Sequence, residues 1–404
     1  MSPTPTAPTA PPTLVVDPNG LNALLRELDG AAEIAVDTEA DSFFSYRERV
    51  CLIQISARGR DWIVDPFAEL DLAPLGAVFA DPARLKVFHD AEFDILILHR
   101  ELGFRFRGLF DTRIAAAALG NKSPGLATVL NEHFGVELDK SLQRSDWSQR
   151  PLTPQQIAYA RLDTHFLERL MAQQLELLRA REREHIVREE MLRLERLESQ
   201  PRETGPDDAF AIKGARTLSP LGLRALRELF AWREQEAERR NVPPFKVCNN
   251  DQLLELARGM PNHPRMLTAP GMLYGRQAGQ YGSAVLAAIT RAREAGPLAS
   301  DPFPSYSDDE RRVFDERGEL TDRLKQWRKV EAEKLELDSA LVLNRHALEA
   351  IAERRLATPE AVRALESVLP WQAASYAEGI AGVVAKFESD LASGKLDFKS
   401  RRRR

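Results

Sequence analysis

Between about Leu14 and Leu178 the apolar positions switch between two periods. EIAVDTE, VCLIQIS and DWIVDP are short runs rich in branched residues, and ARGR between the last two is a hairpin-sized gap, so an antiparallel meander is predicted. LKVFH has the pattern of a buried strand and leads into EFDILILHREL, whose apolar residues recur at helical spacing. Further helices are predicted at TRIAAAALG, at LATVLNEHF and along one long stretch, PQQIAYARLDTHFLERLMAQQLELL. This mixture defines an α/β domain over 14–178. The preceding MSPTPTAPTAPPT, residues 1–13, is rich in Pro, Thr and Ala and is expected to be a disordered leader.

Beyond Leu178 the strand signals cease. Residues 179–212 carry dense charge of both signs with Leu, Ile, Val and Met at helical spacing, which predicts a connecting helix, and Pro201, Gly205 and Pro206 mark a linker. The remainder is helical in pattern and contains a duplication. WREQEAERRNVPPFKVCNNDQLLELA, from Trp232, lies without a gap over WRKVEAEKLELDSALVLNRHALEAIA, from Trp327. Val247 meets Val342, Asn249 meets Asn344, Leu253 meets Leu348 and Ala257 meets Ala352 at one constant offset. Two copies of a small all-α domain follow, at 213–298 and 305–392, joined by a linker at 299–304 and trailed by a tail at 393–404. Neither copy holds a cluster of catalytic groups, so both are expected to bind or to space, with their Trp and Leu positions in the core.

Composition narrows the class. The chain has 404 residues, 43% of them hydrophobic and 29% charged, enough core material for two or three globular domains. A formal net charge of −5 excludes a chain coated in Lys and Arg, so a nucleic-acid partner has to be held by local patches such as the terminal KSRRRR. The two cysteines, Cys51 and Cys248, lie in no CxxC or Cys/His setting, which argues against a zinc site and for a reducing, cytoplasmic location. No apolar segment approaches membrane length, and no GxxxxGK[ST] loop is present, so neither a membrane anchor nor a nucleotide cofactor is expected.

Acids then stand out. Asp37 and Glu39 are two apart on a predicted strand and project from one face, where like charges raise each other's pKa unless a cation compensates them. A strand end emerging into solvent gives the same pattern. Asp94 falls in the first turn of the helix after LKVFH, a position the helix dipole also favours. Tyr159 and Asp163 are i and i+4 on a helix lined with Ile157, Leu162, Phe166 and Leu167, and a half-exposed pair explains them equally well when taken alone. Together the four carboxylates form the hard oxygen set that Mg²⁺ and Mn²⁺ prefer, and two such ions can clamp a phosphodiester displacement.

These motifs resemble the DEDDy-type 3′–5′ exonucleases, and among them the ribonuclease D family most closely. DTE at 37–39, HDAEFD ending at Asp94, and YARLD from Tyr159 to Asp163 are similar to its three motifs in order and spacing. CLIQIS, FDTRIAA and KSLQRSDWSQRPLTPQQIAYA resemble the flanking text, and the duplicated unit resembles a pair of HRDC domains. The second copy departs from the pattern, with LDSA in place of the VPPF turn. The resemblance implies an RNase H-like exonuclease domain, a mixed sheet flanked by helices, followed by two HRDC-like domains. It implies two divalent ions on Asp37, Glu39, Asp94 and Asp163, and release of nucleoside 5′-monophosphates from RNA 3′ ends, in tRNA or other structured precursors. A monomer is expected.

Tyr159 has a poor base for its side chain, since an unperturbed phenol titrates near pH 10, and is expected to position the attacking water. Phe43, Phe44 and Tyr46 follow the first motif closely, and Phe44 and Tyr46 are candidates to stack on a terminal base. His89 is a candidate at the edge of the cleft, where a hydrogen-bonded structural role also fits. Lys140, Arg144 and Arg150 precede the last motif, and Lys140 and Arg150 are candidate phosphate contacts. Asp111 is expected to cap the helix that starts at Thr112, and Asp90 and Glu92 to face solvent. The rival functions are a DNA exonuclease of the Werner type, which shares the metal chemistry, and a non-catalytic nucleic-acid scaffold, against which the complete set of acids argues.

Overall fold

In the computed structural model, residue 8 and residues 10–200, 204–396 and 398 are described. Most of the leader and the KSRRRR tail lie outside them. The first domain runs through β1 (Thr13–Val15), α1 (Pro18–Leu28), β2 (Glu33–Ala40), β3 (Val50–Ala57), β4 (Arg60–Val64), α2 (Ala73–Ala80) and β5 (Leu85–Phe88). It continues with α3 (Glu92–Leu102), β6 (Leu109–Asp111), α4 (Thr112–Ala118), α5 (Leu126–Phe134), α6 (Pro154–His165), α7 (Leu167–Ala180) and α8 (Glu184–Leu194). The six strands lie in the order β1-β4-β3-β2-β5-β6.

β2, β3 and β4 form the antiparallel meander, while β5 and β6 add in parallel on the other side of β2. Every residue of β3 is buried, Gln54 and Ser56 included, so its sequence shows no exposed polar face. β1 and β6 have three residues each, too few to display a period, and the hydropathy pattern predicts neither.

Two helical expectations change. The long helix expected from Pro154 onward is two helices, α6 and α7, which meet at Phe166. The last turn of α6 is tied to the sheet: the hydroxyls of Thr164 and Ser56 are 2.7 Å apart, and His165 Nδ1 lies 2.9 Å from Asp61 Oδ1. The Phe166 amide bonds to the Thr164 carbonyl instead of continuing the ladder. The expected connecting helix also differs. Ile186, Val187, Met191 and Leu194 of α8 are buried in the same core as the sheet, so α8 closes the first domain.

The first copy comprises α9 (Pro220–Arg240), α10 (Pro244–Val247), α11 (Asn250–Gly259) and α12 (Gly275–Ala295). The second comprises α13 (Asp308–Leu335), α14 (Ser339–Val342), α15 (Arg345–Arg354), α16 (Pro359–Arg363) and α17 (Pro370–Ala392). The Asn shared by the copies has a physical basis, because Asn249 and Asn344 each cap the helix that follows. The first copy has a core of its own, around Leu226, Leu229, Val285 and Ile289. The core of the second copy, with Leu320, Leu324, Leu341 and Val342, is continuous with that of the sheet domain.

The seam between the second copy and the sheet domain is built from backbone. Arg183 donates to the carbonyl of Leu335, the Asp338 amide donates to the Ala117 carbonyl at 3.4 Å, and Gly120, at φ +91°, passes so close that a Cβ there would lie 2.6 Å from the Glu336 carbonyl oxygen. The first copy touches the loop after β2, where the Tyr46 amide donates to Asn241 Oδ1 at 3.2 Å. Among the described residues no helix is long and apolar enough to cross a membrane.

Candidate active site

β2 places Asp37 and Glu39 on one face, and its pairing with β3 is interrupted by a register shift between Glu39 and Ala40, where the strand ends. α6 supplies Asp163 and Tyr159. Its start is fixed by a reciprocal cap: Thr153 Oγ1 accepts from the Gln156 amide at 3.2 Å, and Gln156 Oε1 accepts from the Thr153 amide at 3.0 Å. These elements bring carboxylate oxygens of Asp37, Glu39 and Asp163 within 4.8 Å of one another.

Asp94 stands beside this trio, on the first turn of α3, and is 5% exposed. Its carboxylate accepts a hydrogen bond of 2.5 Å from the Thr38 hydroxyl. The turn that leads into α3 is held by Asp111, which accepts backbone N–H bonds from Asp90 and Ala91 as well as from Arg113 and Ile114 at the start of α4. Asp111 is therefore the expected cap and in addition fixes the approach to Asp94. Asp90 and Glu92 are exposed, as expected.

Burial, reinforced by mutual repulsion, pushes Asp37 and Asp94 well above the usual carboxylate range. The same causes raise Glu39 to about 10 and Asp163 to about 7. The charged side chains that contribute to these shifts are other acids. A convergent set of carboxylate oxygens is the donor environment of a hard divalent cation, so the residues present fit such an ion.

The trio borders a cavity of about 580 Å³, which is also lined by Thr38, His89, Arg113, Leu126, Lys140, Gln143, Gln155 and Tyr159. Burial and the surrounding carboxylates raise the Tyr159 phenol, so it stays protonated and acts as a donor. Its ring lies 5.7 Å from that of Trp147, which is buried. Burial lowers His89 to about 4 and keeps it neutral; its Nδ1 lies 2.8 Å from the Thr112 hydroxyl.

Of the expected substrate contacts, His89 and Lys140 line the cavity and three others do not. Arg150 is occupied elsewhere: its Nε and Nη2 donate to Asp65 at 2.6 and 2.8 Å, and its remaining N–H groups reach the carbonyls of Trp147, Gln149 and Cys51. It anchors the loop before α6. Tyr46 turns to the first helical copy, where its hydroxyl lies 3.2 Å from Glu234 Oε2, and Phe44 lies under Lys246, with Nζ 4.3 Å from the ring centroid. Arg113, Gln143 and Gln155 were not anticipated; Arg113 sits two residues beyond the Asp111 cap in FDTRIAA, the one signal that places it near the cleft.

The fold and the acidic cleft define a nuclease with appended helical modules. Residues 12–178 match the 3′–5′ exonuclease family, and residues 222–289 and 317–384 each match the HRDC domain. The chain is 34% identical over 285 residues to ribonuclease D of Granulibacter bethesdensis, covering 70% of this chain and 72% of that one. It is similar to the crystal structure of the catalytic core of RRP6 from Trypanosoma brucei, with a TM-score of 0.65 and 29% identity over 73% of this chain and 83% of that one. Escherichia coli RNase D shares the fold across 93% of this chain and 99% of its own, with a TM-score of 0.64 and 24% identity. The chain belongs to the ribonuclease D family and is a 3′–5′ exonuclease whose family is metal-dependent.

Proposed function

We propose that this protein removes nucleotides one at a time from the single-stranded 3′ end of RNA, with Asp37, Glu39, Asp94 and Asp163 holding two divalent ions, Mg²⁺ or Mn²⁺. The observation that carries the proposal is the convergence of three of these carboxylates to within 4.8 Å, where each repels the others. Ions bound there supply a more acidic water and positive charge opposite the departing oxygen. The chain's own groups do the rest. Tyr159, held in its protonated form, donates a hydrogen bond that orients the attacking water and does not accept its proton. Lys140 and Arg113, at the cavity wall, meet the phosphate charge of the terminal nucleotides. The cavity, about 580 Å³, has the size of a small-molecule site and suits one unpaired nucleotide.

Attack of water on the last phosphodiester forms a new P–O bond and breaks the bond to the 3′ oxygen of the preceding nucleotide. A nucleoside 5′-monophosphate leaves, and the shortened strand keeps a 3′ hydroxyl. Structured precursors with an unpaired 3′ tail, tRNA precursors among them, are the substrates this reading favours, and a monomer acting in the cytoplasm is its setting. The buried, free Cys51 and Cys248 agree with a reducing compartment. Matched RNA and DNA single strands incubated with the protein and Mg²⁺ test the substrate: RNA shortened from its 3′ end supports it, and a strong preference for DNA overturns it.

A further inference from the structure

The two helical copies align in the register that lays Trp232 on Trp327. The same register lays Gln277 on Gln372, and the two do the same work: Gln277 Nε2 donates to the Val247 carbonyl at 3.0 Å, and Gln372 Nε2 donates to the Leu341 carbonyl at 2.7 Å. Each glutamine ties the start of the last helix to the short helix of its copy. Around this shared joint the two copies carry opposite chemistry. Phe245, Lys246, Tyr274 and Arg276 in the first stand where the second has Ala340, Leu341, Leu369 and Trp371.

In the second copy this edge is consumed. Trp371 and Leu341 are buried, the Trp371 amide donates to Glu189 Oε2 at 2.8 Å, and its ring meets His185 edge-on, both partners belonging to α8. In the first copy the edge is open: Phe245 is 53% and Tyr274 71% exposed, and Lys246 and Arg276 are exposed beside them. The open edge continues to the cleft. Lys246 covers the ring of Phe44, the adjacent Phe43 is exposed with Arg144 5.7 Å from its centroid, and Arg144 follows Gln143, a residue of the cavity wall.

We propose that this edge of the first copy, together with Phe43 and Arg144, holds the single-stranded RNA on the 5′ side of the nucleotide being removed. The matching edge of the second copy serves only to dock that copy on the exonuclease domain. Exposed rings alternating with cations suit a strand of bases and phosphates, because every base offers a face for stacking and every linkage a charge. An acidic protein surface would need the cations and not the rings. The inference rests on the exoribonuclease reading and assigns different tasks to two modules of one ancestry.

Two double variants of the full-length protein test it, Phe245→Ala with Tyr274→Ala, and Lys246→Ala with Arg276→Ala. Affinity for a labelled single-stranded RNA of about 20 nucleotides is measured by anisotropy in chelator, and KM and kcat are measured in Mg²⁺. Each double is expected to weaken binding and raise KM on the order of tenfold with little change in kcat. The cationic double should also flatten the dependence of log K on log salt by about 1.4. Phe245→Trp should bind as wild type, which separates stacking from mere integrity of the turn. Wild-type affinity in both doubles overturns the inference, and so does a loss confined to the cationic double, which would point to an acidic partner. If the wild type itself spares RNA, the exoribonuclease reading fails instead.

Discussion

Thr38 and Asp94 are joined by a hydrogen bond of 2.5 Å, hydroxyl to carboxylate, that links the strand bearing Asp37 and Glu39 to the helix bearing the fourth acid. Thr38 lies between two catalytic candidates in sequence and borders the same cavity. Removing its hydroxyl in Thr38→Val leaves a buried carboxylate without its partner, which is expected to cost about 1–3 kcal/mol of stability. Thermal unfolding of the metal-free variant checks this, and an unchanged melting temperature contradicts it.

The repulsion among the acids makes a prediction about pH. Glu39 and Asp163 have folded-state pKa values raised to about 10 and about 7, so the metal-free folded chain binds more protons than the unfolded chain above the ordinary carboxylate range. Stability of the metal-free protein therefore falls as pH rises through 7 and toward 10. A divalent ion competes with those protons, so Mg²⁺ should raise the melting temperature more at pH 8 than at pH 5.5. Asp37→Asn should raise the metal-free melting temperature at pH 8 and shrink the Mg²⁺ effect. An equal Mg²⁺ shift at both pH values would contradict the account.

Arg150 gives a test in the opposite sense. Its donors are spent on Asp65 and three carbonyls, so Arg150→Ala is expected to cost about 2–4 kcal/mol by leaving a partly buried Asp65 unpaired, while KM for RNA in the folded fraction stays near the wild-type value. Denaturant unfolding and steady-state kinetics measured together check it. A raised KM with unchanged stability would restore Arg150 as a phosphate contact.

Gly120→Ala should open the seam between the exonuclease domain and the second HRDC domain. The residue sits at φ +91°, and its new Cβ would press on the Glu336 carbonyl, a backbone atom that cannot swing aside. A loss of more than about 1 kcal/mol is expected. Faster amide exchange at both 117–121 and 335–338 should accompany it, and exchange altered on one side alone would argue against a shared seam.

Much of the site was legible because periodicity alone places Asp37 with Glu39 and Tyr159 with Asp163. Asp94 was legible as a first-turn residue, but its bond to Thr38 was not, since no period relates a strand residue to a helix so far along the chain. The break at Phe166 was hidden because the apolar spacing runs through it, and what stops the helix is the anchorage of Thr164 and His165 to Ser56 and Asp61. Arg150, Phe44 and Tyr46 were misplaced for one reason. Cations and rings near a motif look alike in sequence whether they face a cleft, an aspartate or a neighbouring domain. The unlike fates of the two copies were visible in sequence only as VPPF against LDSA, and burial was needed to see that one edge is docked.

If Asp37 and its partners act through divalent ions on the 3′ end of RNA, a 5′-labelled single-stranded RNA resolved at nucleotide length reads it out. With Mg²⁺ the wild type should give a ladder shortening one nucleotide at a time from the 3′ end, absent with chelator and slowed on the order of a thousandfold, about 4 kcal/mol of barrier, in a folded Asp37→Asn variant. Cleavage that persists in chelator, or an Asp37→Asn variant as active as the wild type, would contradict the account.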